Sequence, residues 1–322
     1  MAHIQLLGTG GTIASRGNGA KGAVATDTAA DLLEAGYGNL SVSARDLLTT
    51  GSYRLSLADL RRIAVGTREA LHDARNDGVV VTHGTDTLEE TAFLLELVHD
   101  SERTVVLTGA QKPADSPDPD GPRNVREAVL AAADERLRGT GVLVSFDGTV
   151  RSARGTRKAH TTASSPFDGG VEVAHMAGSQ LVLTARPARR EPLPLPPEAF
   201  DTTRVEIVTA YPGATRDLLD FAVRSGVDAV VLAGSGVGNA GPGFAEAVAE
   251  ATGAGCTVVL SSRVPWGPVV PIYGNGGGTD LVEAGAVPSG DLNPLQARIL
   301  AALLISLGTS SGDMPEVFRN HV

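Results

Sequence analysis

Short β-branched apolar runs end in Gly-, Thr- and Asp-rich turns and alternate with stretches that keep helical spacing. The clearest case is residues 78–92, GVVVTHGTDTLEETA. Val79, Val80 and Val81 read as a strand covered on both faces. Thr87 and Glu90 have capping-box spacing, which predicts a helix from there through Phe93, Leu94, Leu95, Leu97 and Val98. His83, Gly84, Thr85 and Asp86 are thereby pinned at the carboxyl end of a strand, where open α/β sheets hold ligands. Upstream, residues 3–7 read as a first strand, 15–23 as a surface loop, 27–35 as a helix and 40–46 as a strand. Leu57, Leu60, Ile63, Ala64 and Leu71 keep helical spacing. Downstream, 104–107 and 141–146 read as strands, 115–122 as a Pro- and Asp-rich loop and 124–137 as a helix. The stretch RPARREPLPLPP (186–197) reads as an extended connector. Beyond it the alternation resumes, with strands over 205–210, 229–233 and 257–260 and helices over 215–225, 244–251 and 294–306. The pattern predicts an α/β protein: a larger N-terminal, doubly wound, mostly parallel sheet domain and a smaller C-terminal α/β domain. Expected boundaries are 1–186, a Pro-rich linker over 187–203, and 204–322.

Composition narrows the partners. The 322 residues are 42% apolar but only 4% aromatic, and the formal net charge is −10. There is no Lys/Arg-rich run, so the expected partner is a small polar substrate rather than nucleic acid or an anionic membrane. The single cysteine, Cys256, excludes an internal disulfide and argues against a thiolate zinc site. The opening residues MAHIQLLG lack a basic region followed by an apolar core, and no apolar run is long enough to span a bilayer. The expected address is the cytoplasm.

Several residues offer chemistry, each with a blander reading beside it. Thr85 and Asp86 serve either as ordinary helix-cap residues or as groups that bind a polar substrate and hold a water. GVGNAG (236–241) matches a dinucleotide fingerprint, but the next strand ends in LSSR instead of an acidic residue; a tight Gly-rich turn fits too. His83 reads as a structural, hydrogen-bonded histidine or as a general base. No metal-binding spacing and no phosphate loop is present, so no cofactor and no metal are expected. What stands out is three Thr-rich strand ends, Thr9/Thr12, Thr85/Thr87 and Thr108, and a lysine, Lys158, in a polar stretch. A threonine hydroxyl attacks only when a neighbour takes its proton, and a largely buried lysine is able to do that. A solvated charge is the other reading of Lys158.

TGGTIA (9–14) and GVVVTHGTDTL (78–88) resemble both signatures of the bacterial-type (type I/II) L-asparaginase family. The resemblance extends through TGAQKP (108–113), DGPRN (120–124), Lys158, SSRV (261–264) and LNP (292–294), so it covers essentially the whole chain. It implies an asparaginase-like fold and hydrolysis of L-asparagine to L-aspartate and ammonia through a threonine acyl-enzyme. It implies Thr12 as nucleophile, with Thr85, Asp86 and Lys158 as the second threonine and its partners, Thr85 managing the deacylating water. Implied substrate contacts are Gly11, Ser52, Tyr53, Thr85, Asp86, Ala110 and Asn239, with amides around Gly11 and Thr85 as oxyanion donors. The implied lid includes Arg16, Gly17, Gly19, Lys21 and Gly22. A homo-oligomer, dimer or tetramer, is implied, each site shared between subunits. Three positions depart from the pattern. No tyrosine lies between Thr12 and Tyr37, where many relatives carry a lid tyrosine. Tyr53 stands where many have glutamine. Residues 271–278, PIYGNGGG, lack the cross-subunit acid, leaving Tyr273 or Asn275 to reach across. A preference for L-glutamine or another ω-amide, and a catalytically weakened amino-acid-binding homologue, are the alternatives.

Overall fold

The computed structural model describes residues 1–17, 19, 22–34 and 37–322. The chain divides into two compact units, Met1–Leu195 and Pro196–Val322. In chain order the first holds β1 (His3–Gly10), β2 (Ser15–Gly17), β3 (Ala23–Ala25), β4 (Ser41–Thr50), α1 (Leu57–His72), β5 (Gly78–Thr82), α2 (Leu88–Leu97), β6 (Val105–Thr108), α3 (Gly121–Ala133), β7 (Val142–Phe146), β8 (Thr149–Ser152), β9 (Thr156–Lys158), β10 (Phe167–Gly169), β11 (Glu172–Ala177) and β12 (Gln180–Leu183). Eight of these strands form one sheet in the order β12-β11-β8-β7-β6-β5-β1-β4.

The half from β4 to β7 is parallel; β5, β6 and β7 are buried on both faces and β1 nearly so, which explains their apolar runs, while the edge strand β4 stays partly exposed. Ile4, Leu6, Val80, Val106 and Leu143 share a core with Val125, Ala128, Val129 and Ala132 of α3. α1 and α2 pack against the sheet and each other. The chain leaves β1 for the edge strand β4 and then returns across β1 to β5 on its other side. β1 therefore ends at a switch in strand order, where a crevice opens between diverging connections. Register brings the carboxyl ends together: Gly10 lies beside Thr50, Gly8 beside Thr82, and Thr82 beside Thr108.

The far half of the sheet, β8, β11 and β12, is antiparallel. Its strands are only four to six residues long. The helix expected over 27–35 does not form; Ala29 to Leu32 make turns instead. Asp31 accepts hydrogen bonds from the Thr28 amide (2.8 Å) and hydroxyl (2.6 Å), and Asp46 accepts from the Ala29 amide (2.8 Å). Those carboxylates hold the backbone in turns, as Asp often does. Ala35 lies outside the described residues. α2 does start at Leu88, yet the Thr87 hydroxyl makes no capping bond and donates to the Ser52 carbonyl (3.1 Å). α3 begins three residues earlier than expected, with Pro122 in its first turn.

Stretch 187–203 is held to its surroundings. The Leu193 amide donates to Leu97 (2.7 Å), the Arg189 guanidinium bonds the His99 and Ser101 carbonyls, and Glu198–Thr202 form a 3₁₀ turn. The second unit contains a four-stranded parallel sheet, β13 (Val205–Thr209), β14 (Ala229–Gly234), β15 (Thr257–Ser262) and β16 (Val287–Pro288). With it go α4 (Asp217–Arg224), α5 (Phe244–Gly253), α6 (Gly278–Glu283), α7 (Pro294–Ser306) and α8 (Met314–Arg319). Among the described residues no helix is long and apolar enough to cross a membrane.

Candidate active site

The loops leaving β1, β4 and β5 touch one another through glycine. A Cβ on Gly11 would lie 2.4 Å from backbone atoms of Gly84, and Gly11 has φ +83°. A Cβ on Gly84 would lie 2.6 Å from the Ser52 hydroxyl. Only residues without a side chain let these three loops close to this spacing. Around that contact lies a cavity of about 240 Å³, lined by Gly11, Thr12, Ser52, Tyr53, Thr85 and Asp86, with Ser15, residues 23–25, 49–51, Arg54 and Gly84. Six residues singled out from the sequence thus share one cavity.

The hydroxyls around it differ in state. Thr9 donates to the Thr82 carbonyl (2.9 Å) and Ser15 to the Gly11 carbonyl (2.8 Å). Among the described residues the half-buried Thr12 hydroxyl has no hydrogen-bond partner. The Thr85 hydroxyl is flanked: Lys158 Nζ lies 2.9 Å away, and Gln111 Oε1 lies 3.0 Å away. The same ammonium sits 2.6 Å from Asp86 Oδ1. Lys158 is no solvated loop charge, since its side chain is 17% exposed against 56% for Asp86. It reaches the site because β9 pairs with β10, Lys158 opposite Phe167, and because buried Glu89 of α2 accepts the Lys158 amide proton.

The Gly11 amide donates to the Thr50 carbonyl (2.9 Å), so the oxyanion contact expected of it is not open in this conformation. Ala110 is fully buried just past β6. β2 and β3 form a short hairpin beside the cavity. Arg16 pairs with Asp27 (2.7 Å) and the Gly17 amide bonds Asp115 (2.8 Å). Gly19 and Gly22 are exposed with positive φ, and Lys21 lies outside the described residues. Of the four tyrosines, Tyr53 lines the cavity and is 74% exposed, while Tyr37 is buried with its oxygen accepting from the Glu34 amide (3.2 Å).

Asn239, Tyr273 and Asn275 belong to the second unit. Asn239 sits in the turn after β14, paired with Ser235, and its Oδ1 accepts from the Gly278 amide (3.0 Å). α5 starts only at Phe244, so residues 236–241 form a tight turn and do not open a helix as a dinucleotide fingerprint does. Asn275 is exposed at φ +56°, a left-handed conformation that Asn tolerates.

His83 is a structural residue. It is fully buried, its Nδ1 is 2.8 Å from the Gly84 carbonyl, and its Nε2 is 2.9 Å from the Thr91 hydroxyl. A carbonyl only accepts, so the ring proton resides on Nδ1 and Thr91 donates to Nε2. Burial holds its pKa down at about 4, and burial does the same for His99, also at about 4. Below the ordinary value of 6.5 the unfolded chain takes up protons that the fold refuses, so stability falls as pH drops from 6.5 towards 4. At pH 5 the expected loss is roughly 2 kcal/mol per histidine. Urea denaturation should show it as a midpoint lower at pH 5 than at pH 7.5, with a shallower dependence in His99→Gln. A midpoint that does not move removes the assignment.

Sequence reasoning missed Gln111, Glu89 and Asp120. Asp120 accepts the Gln111 and Lys112 amides, each at 2.9 Å, and so shapes the loop after β6. Gln111 and Asp120 fall within the motifs 108–113 and 120–124; only the pairing of β6 with β5 shows that they support Thr85.

The comparisons agree over both units. The family model described as "Asparaginase, N-terminal" matches residues 3–188, and that described as "Glutaminase/Asparaginase C-terminal domain" matches 204–318. The chain is 36% identical over 328 residues to the probable L-asparaginase of Deinococcus radiodurans, covering 100% of this chain and 98% of that one. It is 32% identical to the probable periplasmic L-asparaginase of Haemophilus influenzae (95% and 89% covered) and 30% identical to L-asparaginase 2 of Escherichia coli (100% and 94%). With both halves matched in order, the chain belongs to the bacterial-type asparaginase family and is an enzyme of that family.

Proposed function

We propose that the protein hydrolyses L-asparagine to L-aspartate and ammonia through an ester on Thr12. One observation carries this reading: the Thr12 hydroxyl, without a partner among the described residues, lines the same cavity as Thr85, whose oxygen is backed by the Lys158 ammonium and Asp86. The Thr12 oxygen attacks the side-chain carbonyl carbon, and the carbon–nitrogen bond breaks. The nitrogen leaves as ammonia, taking up the hydroxyl proton. Water then attacks the ester, restoring the Thr12 hydroxyl and releasing aspartate. Thr85 holds that water with Lys158 behind it. Ser52 receives the α-carboxylate and the exposed Asp86 the α-ammonium, opposite charges that read an amino acid at both ends. The family resemblance adds Ala110 to these substrate contacts and implies that Asn239 is supplied by another copy of the chain. A cavity of about 240 Å³ suits a substrate of this size.

Ammonia release should be measured with L-asparagine, L-glutamine and both D-isomers. The expected order places L-asparagine first; release from none of them overturns the reading. The absence of a tyrosine between Thr12 and Tyr37 favours one second reading, a homologue that binds the amino acid and turns it over poorly. Calorimetric binding of aspartate without turnover of asparagine distinguishes it.

Cytoplasmic residence and homo-oligomerisation, as a tetramer, belong to the same proposal. The second unit exposes Val264, Trp266, Ile272 and Tyr273 within one segment, an apolar surface of the kind that partners cover. Tyr273 and Asn275 are then placed to serve another copy. Light scattering tests the assembly and cell fractionation the address.

A further inference from the structure

The two hydrogen bonds of Thr85 have directions that their partners fix. Gln111 Nε2 lies 3.2 Å from the Thr161 carbonyl and 3.0 Å from the Ala163 carbonyl. Carbonyls only accept, so the amide NH₂ must face them. The amide oxygen is thereby turned to Thr85, at 3.0 Å. It too only accepts, so Thr85 donates its single proton to Gln111. The Lys158 contact at 2.9 Å must then run from nitrogen to the Thr85 oxygen and occupies one lone pair. What Thr85 has left is its other lone pair.

We propose that Gln111 is a positioning residue that sets the polarity of Thr85. It keeps the Thr85 proton out of the cavity, so that Thr85 meets a water there only as an acceptor. A water held that way donates one O–H to Thr85 and keeps its own lone pairs for the ester carbon. With the proton released, Thr85 donates to the water and ties up a lone pair that attack requires. Gln111 itself takes no proton. The Gln111 backbone is fixed independently, through its amide to Asp120. The inference rests on the proposed role of Thr85 in deacylation.

Two substitutions separate this role from simple anchoring of the 161–163 segment. Gln111→Glu keeps an acceptor facing Thr85 and loses the NH₂; Gln111→Met loses both. Acylation releases ammonia and precedes the water step. Gln111→Met should therefore lower kcat about tenfold, the worth of one oriented hydrogen bond, with kcat/KM unchanged. A burst of ammonia equal to the enzyme should precede its slow phase. Gln111→Glu should keep kcat within about threefold of the parent. The inference is overturned by a Gln111→Met enzyme with parental kcat, by equal losses in both variants, or by kcat and kcat/KM falling together. If the unaltered enzyme hydrolyses asparagine and Thr85→Ala slows it while Gln111→Met does not, only this inference fails. If the unaltered enzyme hydrolyses no ω-amide, the parent reading fails first. Should Gln111→Met not fold, neutron diffraction of the unaltered protein decides. The Thr85 deuteron is expected on the line to Gln111; a deuteron pointing into the cavity or at Lys158 overturns the assignment.

Discussion

Thr12→Ala is expected to stop ammonia release from L-asparagine, a fall on the order of 10⁴-fold or more, as loss of a nucleophile does. Of the threonines at these strand ends, Thr9 donates to a carbonyl and the Thr85 hydroxyl is bonded on both sides, whereas the Thr12 hydroxyl has no partner among the described residues. A hydroxyl without a partner is the one free to approach a carbonyl carbon. The alanine variant loses only a methyl and a hydroxyl at a half-buried position, so it should fold with a change of about 1 kcal/mol or less. Thr85→Ala provides the contrast. It should acylate once, release one equivalent of ammonia and carry an aspartyl adduct visible by mass spectrometry of the intact chain. Thr12→Ala should carry none. Full turnover in Thr12→Ala, or an adduct on it, would exchange or abolish the two roles.

How much of this was legible depended on whether a signal was local. The run Val79 to Val81 foretells β5 because burial on both faces is a property of the strand itself. The turn residues at its end follow directly, and so do Thr12 and Thr85 as hydroxyls at strand ends. Side-chain-to-backbone competition was not legible. Residues 27–34 carry helical composition, but Asp31 and Asp46 accept their amide protons and hold turns. Thr87 has the spacing of a capping residue, yet a carbonyl from another loop, that of Ser52, takes its proton. Lys158 and Gln111 were the least legible as a pair. One arrives on the β9–β10 hairpin and the other on the loop after β6, and only tertiary pairing brings both to the Thr85 oxygen. Lys158 was at least a candidate from its polar stretch, and the family resemblance paired it with Thr85 and Asp86; Gln111 was assigned no role, because its neighbour Ala110 carries the contact the resemblance implies.

Lys158→Met should cost about a hundredfold or more in kcat, the range expected when a positioned proton-transfer group is removed. Methionine keeps most of the side-chain volume and removes the charge from between Thr85 and Asp86. The loss should not come from unfolding. Asp86 is 56% exposed, so its ion pair with Lys158 contributes less than about 1 kcal/mol. The melting temperature should accordingly shift by no more than about 3 °C. Nor should binding suffer, because Asp86 freed of its ammonium attracts a substrate ammonium more strongly, so KM should stay level or fall. Lys158→Arg then asks what the nitrogen does. Arginine keeps a positive charge beside Asp86 but does not give up its proton in a protein. If Lys158 must accept a proton, Lys158→Arg will be as slow as Lys158→Met. If the site needs only the charge, Lys158→Arg will restore most of the lost rate, and Lys158 becomes an electrostatic support for Thr85 instead of a base.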